Sequence, residues 1–283
     1  MASYQSADNI EERLRRLGIY GSAPDDELRP KFVIAIDFGT TYSGVAYAYT
    51  DPGSGPISSW TINEIRDRIY PVRDWPNRDP MYPDKARTAL AYDKGVVVAW
   101  GGSVKSEHTT QVTHFKLGLQ ESVAQYYAGL SVLGGYLSDP NWRHPNLPTK
   151  SALDFTADYL EVIRRYVLET SLKKHYSAEF LAQQPLRYVI TVPAIWSEKA
   201  KALTKAAAER AGIAEDSLDL VTEPEAAAFY CSTLCKEVGL EDGDRFLICD
   251  AGGGTVVRIF NLRPDDLGPY IIPNRFSRTF PRQ

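Results

Sequence analysis

The sequence predicts an α/β fold, and three observations support that prediction. Residues 187–228 alternate strand-like and helix-like segments, which calls for a sheet with right-handed crossovers. Residues 152–172 carry apolar side chains at helical spacing and predict a long amphipathic helix that packs on this sheet. Two strand-like runs, 32–36 and 246–249, are each followed by an aspartate and a glycine-bearing turn. The same strand-and-turn unit is therefore used twice.

Composition excludes several classes of protein. The 283 residues are 43% hydrophobic and 24% charged, which is typical of a soluble globular chain with two or more domains. A net charge of −4 provides no basic field for nucleic acid. No apolar run approaches the about 20 residues needed to cross a membrane, and the N-terminus lacks signal-peptide order, so we expect a cytoplasmic protein. The three cysteines lack further ligands and are interpreted as buried thiols.

The N-terminal third predicts a loosely held segment, a hairpin and an irregular region. Residues 1–30 are polar, with a short amphipathic helix over 10–17. Strands over 32–37 and 42–49 are joined by a Gly-Thr-Thr turn and form a β-hairpin. Residues 51–148 are rich in Pro, Gly, Trp and Asn, with one convincing strand at 95–100, and indicate a smaller subdomain inserted after the hairpin.

The later elements follow from their caps and stops. After the helix over 152–172 comes a strand-like run, 187–194, that ends at a proline. A helix follows over 198–211, with Ser197 as its N-cap and Gly212 as its stop. A strand over 218–221 leads to a helix that begins at Glu223, where Pro224 is tolerated in the first turn. The runs 246–249 and 256–260 then begin a second, related sheet.

The two repeated turns favour phosphate as a ligand. They are Asp37-Phe38-Gly39-Thr40-Thr41 and Asp250-Ala251-Gly252-Gly253-Gly254-Thr255. Glycine lets the backbone bring several N–H groups close to an anion, and threonine hydroxyls add donors. An aspartate beside phosphate calls for a divalent cation between them, directly or through its waters. One such turn is weak evidence, but two with the same Asp-x-Gly order, each followed by threonine within three residues, predict a clamp for a magnesium-bound nucleotide.

Four motifs in order resemble the nucleotide-binding domain of the 70-kDa heat-shock proteins, in a divergent branch. They are Ile34-Ala35-Ile36-Asp37-Phe38-Gly39-Thr40-Thr41-Tyr42-Ser43, Val189-Ile190-Thr191-Val192-Pro193-Ala194, Val221-Thr222-Glu223-Pro224-Glu225-Ala226-Ala227-Ala228 and Asp250-Ala251-Gly252-Gly253-Gly254-Thr255. The resemblance covers residues 32–256. It implies an actin-like (ribonuclease H-like) ATPase fold that binds ATP or ADP with Mg²⁺ in a cleft between two lobes.

The resemblance also implies roles for particular residues. It assigns phosphate binding to the residues of both turns. It assigns the metal, held through water, to Asp37 and Asp250. Glu223 corresponds to a cleft glutamate that orders metal-bound water, and Asp250 also serves in catalysis. The phosphate-binding residues are Gly39, Thr40, Thr41, Tyr42, Gly252, Gly253, Gly254 and Thr255.

The family also places a lysine from the inserted subdomain near the terminal phosphate. Lys116 is the first candidate for this catalytic role and Lys105 the second. The alternative for Lys116 is a solvated residue whose stem covers apolar surface. The alternative for Glu223 is a helix-start carboxylate that complements the helix dipole.

The chain departs from the family pattern after the second turn. The carboxylate expected at Val257 is missing, and the Pro- and Arg-punctuated stretch before Gln283 resembles nothing in the family. We therefore expect a complete first lobe and a second lobe that is only begun. About the last forty residues should be poorly ordered, because their strands have few partners. Nucleotide affinity should be weak. The implied organisation is a leader (1–30), first-lobe core (31–50 and 150–240), inserted subdomain (51–149), start of the second lobe (241–261) and irregular tail (262–283).

Three functions remain open from the sequence. The leading one is a chaperone-type ATPase that hydrolyses ATP with Mg²⁺, impaired by truncation, with nucleotide and protein clients or co-chaperones as partners. The second is a sugar or small-molecule kinase on the same scaffold, which shares both phosphate turns. The third is a non-catalytic nucleotide-sensing or interaction module that keeps the fold without turnover. Nucleic acid and membranes are not expected partners.

Overall fold

The computed structural model describes residues 30–51, 64, 67–120, 144–234, 245–250 and 256–261, and for Phe229, 231–234, 245–250 and 256–261 the description is confined to the backbone. The chain divides into two compact units. The first contains Pro30–Thr50 and Arg68–Glu223, and the second contains the rest.

A mixed six-stranded sheet forms the framework of the first unit. Its order is β3-β2-β1-β8-β9, and β4 pairs with β2 beside β3. Strands β1 and β2 are antiparallel, whereas β1, β8 and β9 are mutually parallel neighbours. The strands are β1 (Lys31–Asp37), β2 (Tyr42–Thr50), β3 (Tyr70–Pro71), β4 (Lys85–Arg87), β8 (Leu186–Val192) and β9 (Leu218–Thr222).

Two smaller sheets accompany it. Strands β5 (Ala89–Asp93), β6 (Val96–Trp100) and β7 (Thr110–Thr113) form an antiparallel sheet in the order β6-β5-β7 in the first unit. In the second unit, β10 (Arg245–Asp250) and β11 (Val256–Asn261) pair antiparallel.

Four α-helices of six or more residues have both ends within the described ranges. They are α1 (Ala152–Tyr166), α2 (Ala178–Gln183), α3 (Glu198–Arg210) and α4 (Glu223–Leu234). Helix α1 continues into a π turn at Val167–Ser171 and a 3₁₀ turn at Leu172–Lys174. Helix α1 packs against α3, and α3 connects the parallel strands β8 and β9.

The structure confirms the α/β class and most of the predicted elements. The hairpin, the strand over 218–221 and the helix after Ser197 lie where the sequence places them, and the Ser197 hydroxyl accepts a hydrogen bond from the amide of Ala200. Gly212 follows α3 with φ of 81°, a conformation that glycine adopts without strain. The strands predicted over 246–249 and 256–260 pair with each other, as a second sheet requires.

The prediction of one strand in residues 51–148 is incomplete. Strands β3, β4, β5 and β7 also lie there. Strand β5 gives no alternating signal because Ala89, Leu90, Ala91 and Tyr92 are all buried, so both faces carry non-polar side chains.

The predicted helix over 10–17 and the tail after 261 lie outside the described residues, and the lobe and subdomain boundaries stay predictions. Within the described ranges, no helix has the length and apolar character to cross a membrane.

A cluster of aromatic side chains fixes the end of β1 against α1. Phe38 stacks on Phe115 with ring centroids 6.3 Å apart, and Tyr159 lies 6.1 Å from Phe38 and 5.6 Å from Phe115. All three side chains are fully buried, and the Tyr159 hydroxyl donates to the carbonyl of Arg87. Large buried rings dominate core energetics, so this cluster rigidly positions the residues beside it.

We expect Ser151→Ala to lower the free energy of unfolding by about 1 kcal/mol, the usual cost of losing an N-cap. Ser151 forms a capping box with Asp154 at the start of α1. Urea denaturation measures the loss. The exposed Ser106, mutated to alanine in the same way, is the matched control. Equal stability of the two variants would contradict the capping role.

Candidate functional site

The turn after β1 has a shape that requires glycine. A Cβ atom built on Gly39 would lie 2.0 Å from the carbonyl oxygen of Tyr42, so no other residue fits without moving the backbone. Thr88 holds the turn from outside: its hydroxyl donates to the carbonyl of Gly39, and its amide donates to the carbonyl of Thr41, both at 2.8 Å. Two of the turn's carbonyl groups are thereby engaged.

The amides of this turn remain available for a ligand. Among the described residues, none accepts a hydrogen bond from the amides of Gly39, Thr40 or Thr41. Thr41 is exposed and Gly39 and Thr40 are half-buried. Successive donors on a tight turn form a concavity that binds anions.

A buried ion pair lies behind the turn. The Lys116 ammonium donates to the carboxylate oxygen Oε1 of Glu223 at 2.6 Å and to the carbonyl of Phe38 at 2.5 Å. The Lys116 side chain is 3% exposed, and its ammonium also lies 5.4 Å from the ring centre of Phe38 and 5.5 Å from that of Trp196. Lys116 is thus no solvated surface residue, and the alternative raised from the sequence is wrong.

The local sequence explains how Lys116 reaches this position. Lys116 belongs to a 3₁₀ turn, Phe115–Leu119, whose first residue is anchored in the aromatic cluster. His114 precedes it with φ of 59°, a left-handed conformation that redirects the chain. Glu223 is the first residue of α4, directly after β9. The turn, the lysine and the glutamate therefore converge at the ends of different strands.

Asp37 ends β1 with both carboxylate oxygens engaged. The hydroxyl of Thr191, on the parallel strand β8, donates to Oδ1 at 3.0 Å. The Lys85 ammonium, on β4, donates to Oδ2 at 2.8 Å. The Asp37 and Lys85 side chains are 46% and 44% exposed, so this ion pair faces solvent.

The described residues suit a polyphosphate better than a bare metal ion. Free turn amides and lysine ammoniums donate hydrogen bonds to phosphate oxygens. Both carboxylates, Asp37 and Glu223, already have lysine partners. Within the described ranges, no group of three or more His, Cys, Asp or Glu residues has a metal-binding arrangement. A carboxylate offers about four lone-pair sites, so Asp37 retains capacity to accept a water of a hydrated Mg²⁺. The donor set therefore fits the metal as a hydrated ion.

The structure brings together part of the predicted site. Asp37, the turn 39–42, Lys116 and Glu223 all belong to the first unit. The Tyr42 hydroxyl donates to Asp79, which raises the pKa of the phenol, so Tyr42 offers a ligand its backbone rather than its hydroxyl. Lys105 is exposed, and its backbone is hydrogen-bonded to His108. Geometry therefore favours Lys116 over Lys105 as the partner of Glu223.

The second turn is described only at its edge. Asp250 is the last residue of β10, and its side chain is outside the description. Gly252, Gly253, Gly254 and Thr255 lie outside the described residues. Their roles stay predictions.

Three residues at the site were missed from the sequence. Thr191 lies within the Val-Ile-Thr-Val-Pro-Ala segment, and its place beside Asp37 follows once β8 is paired with β1. Lys85 and Thr88 lie in and after β4, a three-residue strand too short to give a periodic signal. Only the alternation of Lys85, Ala86 and Arg87 hinted at a strand with one charged face.

We expect a strong energetic coupling between Lys116 and Glu223. Glu223→Ala leaves a buried ammonium without its counter-charge and should lower the free energy of unfolding by about 3 kcal/mol. In the double variant Lys116→Met/Glu223→Ala the ammonium is gone. Its loss in free energy of unfolding should therefore be smaller than the sum of the losses in Lys116→Met and Glu223→Ala. Urea denaturation of the double-mutant cycle measures this.

The exposed pair Lys201–Glu198 is the control for that cycle, because surface pairs couple by only about 0.2–1 kcal/mol. A Lys116–Glu223 coupling no larger than the control value would mean that the buried pair is not formed in solution.

The stability of the fold should depend on pH through His114. Burial lowers the pKa of His114 from 6.5, and the charge of Arg87 acts in the same direction. The folded state therefore disfavours protonation, the unfolded state does not, and stability falls as pH drops below 6.5. Between about pH 7.5 and about pH 5.5, His114→Asn should lose less in melting temperature than wild type, because asparagine keeps the left-handed backbone without titrating.

His144, whose pKa is also lowered by burial, contributes to the wild-type slope. The same scan on His144→Asn separates the two histidines. An unchanged slope in His114→Asn would contradict the assignment to His114.

Three proteins named as heat-shock proteins or chaperones are similar in sequence to this chain. The chain is 28% identical over 255 residues to "Heat shock 70 kDa protein 12A" of Homo sapiens, covering 88% of this chain and 35% of that protein. It is 27% identical over 244 residues to "Chaperone protein HscA homolog" of Delftia acidovorans, covering 83% and 33%. It is 25% identical over 254 residues to the "Iron-sulfur cluster biogenesis chaperone, mitochondrial" of Saccharomyces cerevisiae, covering 87% and 35%.

No protein-family model matches the chain. The chain spans about a third of the length of these relatives. The matches nevertheless cover most of this chain and agree with the four motifs and the α/β architecture. The chain is similar to the nucleotide-binding domain of the 70-kDa heat-shock protein family.

Proposed function

We propose that the chain binds ATP through its phosphates at the turn 39–42 and supports hydrolysis of the terminal phosphate. The observation that carries this proposal is the contact of the Lys116 ammonium with both Phe38 and Glu223. This contact joins the base of the turn to a cation and a carboxylate. Phosphoryl transfer needs these groups, because its catalysis is mostly positioning and charge stabilisation.

Each residue has a distinct part in the proposed reaction. The amides of Gly39, Thr40 and Thr41 bind phosphate oxygens, and Lys116 neutralises charge that develops on the transferred group. Glu223 orders the attacking water once phosphate oxygens compete for the ammonium of Lys116. Asp37 and, as the sequence predicts, Asp250 would hold Mg²⁺ through water, and the metal would supply further neutralisation of the phosphates.

A non-catalytic nucleotide-sensing role is the second candidate. In the described structure Glu223 is bound to Lys116 and Asp37 is bound to Lys85. If these pairs persist with nucleotide bound, neither carboxylate is free to order water. The site then binds nucleotide without turnover.

Partners of the whole protein extend beyond the described site. Two of the similar proteins are named as chaperones, so protein clients or co-chaperones are proposed partners. The chain covers about a third of those proteins, and client binding is proposed only for a protein that contains the remaining parts.

We expect ATP binding by titration calorimetry and single-turnover hydrolysis with Mg²⁺. Asp37→Asn and Asp250→Asn should each slow hydrolysis by at least about tenfold. The melting temperature of Asp37→Asn should stay close to wild type, because the Asp37 side chain is half-exposed.

Binding without hydrolysis would favour the nucleotide-sensing role. Unchanged ATP binding and hydrolysis in both variants, or no binding by wild type, would contradict the proposed site. Asp158→Asn is the matched control, because Asp158 also pairs with a lysine, Lys150, in the first unit.

A further inference from the structure

The row of residues Asp37, Gly44 and Lys85 crosses three strands beside the phosphate turn. Asp37 of β1 is directly opposite Gly44 of β2, and Gly44 is directly opposite Lys85 of β4. Opposite residues of antiparallel strands project to the same face of a sheet. The carboxylate and the ammonium therefore share one face, with the glycine between them.

Gly44 leaves the path of the Lys85 side chain open. Asp37 and Lys85 are two strands apart, about 10 Å between backbones, so the lysine must pass over the middle strand to reach the aspartate. A Cβ built on Gly44 would lie 3.6 Å from Cγ and 3.7 Å from Cε of Lys85, so the lysine stem covers this glycine. A longer side chain at residue 44 would occupy the path of the stem.

A second cation lies on the same face of β4. Arg87 is two residues after Lys85 and directly opposite Tyr42, the last residue of the phosphate turn. Arg87 is exposed and makes no salt bridge with any residue that the structure describes. The buried Ala86 between them faces the other way. Strand β4 thus presents two positive charges next to the free amides of the turn.

We infer that Lys85 acts as the protein's own counter-cation at Asp37 and, together with Arg87, lets this site bind a nucleotide polyphosphate without a divalent metal. The inference rests on the proposed function and extends it. An aspartate at a phosphate site is repulsive unless a cation offsets it, and here the lysine supplies that charge within the fold. The ammonium lies 2.8 Å from Oδ2 of Asp37, so the carboxylate has a counter-charge without a metal ion.

Lys85 is a positioning and specificity residue in this account. It lowers the dependence of nucleotide binding on Mg²⁺ by neutralising Asp37. A purely structural role is different, since a half-exposed ion pair adds little to stability. The informative quantity is the ratio of the ATP dissociation constant in EDTA to that in Mg²⁺, which cancels general losses of affinity.

The test measures this ratio by titration calorimetry for four proteins. Wild type should bind ATP in EDTA, and its ratio should lie within about tenfold of unity. Lys85→Met should raise the ratio by about tenfold or more, which is a usual size for coupling between two ligands. Lys85→Arg keeps the charge and should stay close to wild type. Lys201→Met, which removes a lysine from the exposed pair with Glu198, is the matched control and should leave the ratio unchanged.

The outcomes distinguish a failure of the role inferred for Lys85 from a failure of the proposed ATP-binding function. No ATP binding by wild type in either condition overturns both. Binding by wild type only with Mg²⁺, or an equal ratio in wild type and Lys85→Met, overturns the role of Lys85 and leaves the proposed function standing. The wild-type measurement in EDTA is decisive even if a variant fails to fold.

Discussion

The placement of one buried ammonium constrains the rest of the site. Lys116 is almost fully enclosed, and a buried charge is costly unless it is paired and hydrogen-bonded. Its two partners come from distant parts of the chain, the carbonyl of Phe38 at the end of β1 and the carboxylate of Glu223 at the start of α4. Satisfying this charge therefore fixes the turn, the 3₁₀ segment and Glu223 relative to each other.

The aromatic cluster behind the turn gives this arrangement its rigidity. Phe38 and Phe115 directly precede the turn glycine and the lysine in sequence, and both pack on Tyr159 of α1. Burial raises the pKa of Tyr159 to about 12, so its hydroxyl stays protonated and continues to donate to the β4 backbone. Core packing and site geometry are thus determined by neighbouring residues, and a change in one alters the other.

The charges at the site divide into a buried pair and an exposed pair with different consequences. Lys116 and Glu223 are shielded from solvent and contribute a defined geometry, whereas Lys85 and Asp37 remain accessible and can exchange partners when a ligand arrives. Salt screens the exposed pair and barely affects the buried one. The exposed pair is therefore the part of the described site whose contacts depend most on solvent and salt.

The sequence by itself determined the α/β class, the hairpin with its glycine turn, the capped helix after Ser197 and the resemblance to the 70-kDa heat-shock proteins, because periodicity, caps and motif spacing are local properties of the chain. It also selected Lys116 and Glu223, although from resemblance rather than contact. Only the tertiary structure decided that these two residues meet, that Thr191 and Lys85 bracket Asp37, and that β4 and β5 are strands at all. Those facts depend on strand register and on burial of both faces of short segments, and pairing between segments distant in sequence leaves no local pattern to read.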